Sequence, residues 1–175
     1  MRFCGALTFL SRVLKPQENS GVAAIEFAIF ATVFLIILAG TVDIGMLIYT
    51  ASQLDAAVSA GAQYAENNAA TVSSNPSGLS SDISAVVNTA NGTGWATSTI
   101  NVNNSNDATG CYCPTGAPPN WSWGAAKTCG SSCTGGGVAG QFVTITASRS
   151  VSPLFPAFGF VQNDAISRSA LVETQ

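Results

Sequence analysis

One acidic side chain stands inside an apolar stretch: Glu26, in the run Gly21-Val22-Ala23-Ala24-Ile25-Glu26-Phe27. No charge follows from Phe27 to Val42. Counted from Val22, the stretch has roughly the twenty residues a helix needs to cross a bilayer. An ionisable group inside such a span costs on the order of 2.5–3.5 kcal/mol at mid-membrane, so its presence asks for a chemical reason. A cut after Gly21 would supply one. Val22 would gain a free α-amino group, and that ammonium could pair with the Glu26 carboxylate, within one chain or between neighbours packed in a bundle. Such a pair offsets two half-buried charges and sets the axial register of the neighbours. Without the cut, Glu26 lies in the first helical turn near the headgroups. There it snorkels outward and meets the helix dipole, for a few tenths to about 1 kcal/mol.

The second group able to do chemistry is sulfur. Cys111, Cys113, Cys129 and Cys133 cluster beyond the span, and Cys4 lies alone before it. An even number in an oxidising compartment reads as two disulfides stapling a Gly-rich loop, with three connectivities open. Two short closed loops each contribute about 2–4 kcal/mol. A four-thiolate zinc site is the sharper alternative, but the spacing departs from the usual two-residue gaps. A catalytic dithiol lacks its Cys-x-x-Cys motif. Trp121 and Trp123, two apart beside the staple, either cover a small core or form a ligand platform.

Catalysis is not expected. The chain has no His, which removes the commonest general base and the commonest metal ligand. No Gly-x-Ser-x-Gly elbow and no phosphate-binding Gly loop followed by Lys occurs, so no nucleophile has a visible activating partner. No cofactor is expected. The net charge of −3 leaves no basic patch for nucleic acid.

Charge also sets orientation. Arg2, Arg12 and Lys15 precede the span against Glu18 alone, while Asp43 and Asp55 follow it and no Lys or Arg comes before Lys127. The positive-inside rule keeps the N-terminus in the cytoplasm and sends the rest outside. A secretory signal cut near Ala39-Gly40-Thr41 is the rival, and would release a soluble domain. The apolar run is longer than a signal core and flows into more helix. With about forty of 175 residues spent before and inside the membrane, one modest external domain remains.

The elements that position these groups emerge from periodicity. Ile44, Leu47, Ile48, Ala51, Leu54, Val58, Gly61, Ala62 and Ala65 recur at three- and four-residue steps, predicting one helix from about Ala23 to about Asn67. Ala57, Gly61 and Ala65 permit close packing, on the chain's own domain or on another helix. Asn75-Pro76-Ser77-Gly78 reads as a turn, with Ser81 or Asp82 capping a short helix through Ala90. Thr97–Val102 alternates like a strand. So does the segment from Phe142, and a second strand runs from about Ala165 to Val172. Between them Leu154–Phe160 is very apolar for a loop, either covering the helix or forming an exposed patch.

The short leader, the Gly, four small or aliphatic residues, the Glu and the aromatic resemble the processing site of type IV prepilins. Three further stretches extend the likeness: Asp43-Ile44-Gly45 at the end of the span, Ala60-Gly61-Ala62-Gln63-Tyr64-Ala65, and Phe142–Ser148 followed by Pro153-Leu154-Phe155-Pro156. Together they resemble the TadE-like family, pseudopilins of the tight-adherence (Flp pilus, type IVb) secretion machinery. The N-terminal likeness covers about the first seventy residues. The Cys-rich insert is not something the family's core implies.

The resemblance implies a prepilin peptidase cutting after Gly21, with Val22 as the mature N-terminus and Glu26 and Phe27 as the processing and assembly residues. It implies other pilins or pseudopilins and the Tad assembly platform as partners, and a role in pilus biogenesis and adhesion. The expected protein is α+β and pilin-like. Residues 1–21 form a cytoplasmic leader, 22–43 a transmembrane helix and 44–70 its extracytoplasmic extension. Residues 71–175 form a small head with a short antiparallel sheet and a disulfide-stapled loop at 108–138. It would sit in the bacterial inner membrane as a single-pass protein. The alternative is an uncleaved envelope anchor whose head is a binding module.

Overall fold

The computed structural model describes residues 20–92, 94–118, 120–153 and 165–174. The leader up to residue 19, with Arg2, Cys4, Arg12, Lys15 and Glu18, and the apolar Leu154–Phe160 segment lie outside the described residues. The chain divides into two units between Val42 and Asp43.

Helix α1 (Ser20–Asn67) carries the N-terminal apolar stretch and continues into the second unit. In the second unit its buried face follows Asp43, Leu54, Ala57, Val58, Gly61 and Ala65. Ile44 and Ile48 belong to the sequence stripe but are 43% and 64% exposed. A residue one position on from the buried face is turned by about 100° around the helix, which carries both isoleucines off it.

A single turn, α2 (Thr71–Ser74), leads to α3 (Pro76–Thr89). The expected turn at Asn75–Gly78 is instead the first turn of α3. Asn75 is the N-cap, its side-chain oxygen accepting from the Gly78 amide at 3.0 Å, and Pro76 follows at a position where its missing N–H costs nothing. Ser81 and Asp82 therefore lie inside the helix and cap nothing. Leu79, Ile83 and Val87 form the buried stripe of α3.

Strands β1 (Thr97–Val102), β4 (Phe142–Ser150) and β5 (Ala165–Glu173) make an antiparallel sheet in the order β1-β4-β5. Ile100 faces Ile145 in the first pairing, and Val143 faces Val172 in the second. The period of two puts Val143, Ile145 and Ala147 on one side of β4, where they join Leu54, Val58, Ile83 and Val87 in the core. Where β1 ends, Asn103 adopts φ +49° and is fully buried. Its side-chain oxygen accepts from Phe142 N at 2.9 Å and its own amide donates to Phe142 O at 2.7 Å, which extends the ladder by one residue. Strands β2 (Thr115–Ala117) and β3 (Asn120–Ser122) form a separate hairpin. The α+β architecture, with a long apolar N-terminal helix, a small antiparallel sheet and two C-terminal disulfides, is the one expected.

Candidate membrane span, processing site and cysteine loop

Among the described residues one helix, Gly21–Asn67, is long and apolar enough to cross a membrane. Its first half is sheathed in exposed apolar side chains, including Phe27 and Phe30 at 75% each. The polar groups it does carry are largely turned inward on the backbone. Thr32 Oγ1 donates to Ala28 O and Thr41 Oγ1 to Ile37 O, each at 2.8 Å. In hydrocarbon no water can satisfy a hydroxyl, so these bonds to the carbonyl four residues back remove a cost that lipid burial would impose. Glu26 is the ionisable group left on this half, and it is exposed.

Gly21, Val22, Glu26 and Phe27 fall together in the first turns of α1, all exposed. A side chain built on Gly21 would meet no atom within 4 Å. Glu26 lies one turn from Val22, the spacing at which helix side chains are neighbours. An ammonium formed at Val22 would have a carboxylate within helical reach.

The cysteines resolve to one connectivity. Cys111 bonds Cys129 and Cys113 bonds Cys133, with Cα separations of 5.0 and 5.8 Å. Each sulfur is spent on another, so the four-thiolate alternative has no ligands to offer. Reciprocal backbone bonds between Cys111 and Lys127 and between Tyr112 and Gly140 tie the loop to the entry of β4. Trp123 meets Tyr112 edge to face at 5.8 Å between ring centres. With Cys113, Val138, Phe142 and Glu173 it lines an open cavity of about 650 Å³, within the size range of small-ligand sites.

Sequence reasoning missed a polar lock beneath this loop. Tyr112 Oη donates to Asp107 Oδ2 at 2.7 Å, and Thr109 donates to Asp107 Oδ1 through both its amide and its hydroxyl. The Thr109 amide, then the Tyr112 hydroxyl, hold the Asp107 carboxyl down at about 2. The carboxylate in turn raises the Tyr112 phenol, with burial adding to it. The signal available was the Asn103-Asn104-Ser105-Asn106-Asp107 run, residues that tolerate left-handed turns and bond their own backbone. Also unforeseen was the burial of Asp43, 2% exposed at the start of the second unit.

Residues 21–63 match the family described as TadE-like protein. No curated protein and no solved structure matches the chain.

Proposed function

We propose that this chain, with its TadE-like segment, is a pseudopilin or minor pilin that acts by assembly in tight-adherence pilus biogenesis and has no catalytic role. The observation that carries the reading is where the family match begins. It starts at Gly21, at the mouth of an exposed apolar helix whose first turns hold Glu26. In this reading a prepilin peptidase cuts after Gly21. The new Val22 ammonium meets Glu26 on its own or a neighbouring chain, and the apolar helices pack side by side in the inner membrane or the fibre. The C-terminal unit then lies outside the cytoplasm, where its disulfides persist.

Intact mass and N-terminal sequence of the protein from its native envelope test the cut. A chain starting at Val22 supports the reading, and one starting at Met1 removes the ammonium and with it the role given to Glu26. Glu26→Ala tests assembly: pili should be lost while membrane insertion stays normal. An indifferent phenotype would favour the second reading, an uncleaved anchor whose head binds a ligand. The cavity beside Trp123 is the observation that speaks for it. That reading requires a ligand whose binding fails in Trp123→Ala.

A further inference from the structure

The C-terminal unit carries a patch that pilus assembly does not use. Asn91 Nδ2 donates to the Gln53 carbonyl at 2.9 Å, which pins the α3–β1 connection to α1 one turn beyond Tyr49. Next in the chain comes Trp95, partly buried against the core. The guanidinium of Arg149, near the end of β4, lies 4.4 Å over its ring. Thr97, Ser148 and Ser150 border the shallow depression the two form. Among the described residues the ion pair is Arg168–Asp55, so Arg149 keeps its N–H donors free of any described carboxylate.

The height of this patch along α1 matters. Off the buried face of α1, Ile44, Met46, Ile48 and Tyr49 are 43–66% exposed. In this unit the large exposed apolar side chains of α1 thus end at Tyr49. Tyr49 is an amphipathic aromatic, the kind of side chain that gathers at headgroup level. Gln53, and the Trp95 connection bonded to it, come one turn later, about 6 Å further along the helix.

We infer that the Trp95–Arg149 patch rests on the bilayer surface and binds the phosphate of an anionic phospholipid headgroup. A guanidinium held over an indole ring presents a planar fork of donors, which suits phosphate oxygens better than a mobile ammonium would. The indole supplies an apolar body with a polar edge, the chemistry of the membrane interface. The attraction to an anionic leaflet acts within a Debye length of the surface, the distance at which this patch stands. Seated this way, the head would be held at a fixed height on the membrane before any partner arrives. The inference rests on α1 spanning a bilayer, and not on cleavage at Gly21.

The test is the full chain in nanodiscs of phosphatidylcholine, with and without phosphatidylglycerol, in which part of the lipid carries bromine near the headgroup. Tryptophan emission is read for wild type, Trp95→Phe, Arg149→Gln and Arg149→Lys. Wild type should be quenched, and more strongly in the anionic discs. Trp95→Phe should remove most of the quenching although it deletes one of three tryptophans. Arg149→Gln should abolish the anionic increment and Arg149→Lys should retain part of it, which separates charge from any loss of packing. Equal quenching in wild type and Trp95→Phe would overturn the inference, as would an increment indifferent to Arg149→Gln. Excess inorganic phosphate at matched ionic strength should leave the increment unchanged; if it erases it, the ligand is the free anion and the lipid assignment falls. A chain that does not float with the discs would overturn the spanning reading itself.

Discussion

Gly61 is the position where α1, α3 and the sheet come closest. A Cβ placed there would stand 2.6 Å from Val87 Cγ2, 3.3 Å from Ile83 Cγ2 and 3.5 Å from Ile145 Cδ1. Ordinary carbon contacts lie at about 3.5–4.0 Å, so the first is short by about 1 Å. Val87 cannot easily swing aside, being β-branched in a helix with one strongly preferred rotamer and 1% exposed. Overpacking of this kind costs about 1–3 kcal/mol. Against it stands the helix-propensity gain of Gly→Ala, about 1 kcal/mol. Gly61→Ala should therefore destabilise the C-terminal unit by ~1 kcal/mol, a fall of roughly 3–5 °C in Tm at this size. Val87→Ala alone should also cost about 1–3 kcal/mol, through lost burial and a cavity. In the double variant the new methyl moves into the space vacated, so the two costs should fall short of their sum by about 1–3 kcal/mol. Thermal unfolding of the full chain in detergent, followed by tryptophan emission, measures all four corners of this cycle. A stabilised Gly61→Ala whose effect simply adds to that of Val87→Ala would refute the packing argument, because propensity alone would then explain the result.

Opening the Cys113–Cys133 bridge by replacing both residues with Ala frees a loop with a sequence separation of 20, for which chain entropy gives about 3 kcal/mol. Urea unfolding should show the loss, and breaking Cys111–Cys129 as well should cost less than twice as much, since the loops overlap. The Asp107–Tyr112 lock predicts pH dependence at both ends. Asp107 is depressed on folding, so its contribution is present above about 4 and is lost as pH falls toward about 2. Tyr112 is raised on folding, so its contribution is present below its ordinary value of 10.0 and is lost as pH rises through its higher folded value. Tyr112→Phe should flatten the alkaline limb and weaken the acid one; unchanged limbs in a urea titration across pH would refute the lock.

Much of this protein was legible because its strongest signals are local. An apolar run of roughly twenty residues, broken by Glu26, needs no partner to declare a span, and the three-and-four spacing from Leu54 to Ala65 declares a buried helix face whatever covers it. Alternation along Phe142–Ala147 and the cluster of four cysteines beyond the span are local in the same sense. The three-residue strands of the β2–β3 hairpin were too short to declare themselves. Asn75 was misread as a turn residue because Asn-Pro-Ser-Gly serves a β-turn and a capped helix start equally well. The apolar stripe of Leu79, Ile83 and Val87 downstream, finding a core to pack on, decides for the helix.

Other features depended on residues far apart in the chain. Which cysteine meets which, the stacking of Arg149 on Trp95, the fit of Gly61 against Val87 and the exposure of Ile44 and Ile48 arise only when separate elements come into contact. Residue order alone was enough for the apolar helix, the TadE-like entry and the strands, since hydrophobic periodicity and peptide geometry act over a few residues. The covered faces of those elements were settled by folding, because burial is a property of the neighbours a side chain acquires there.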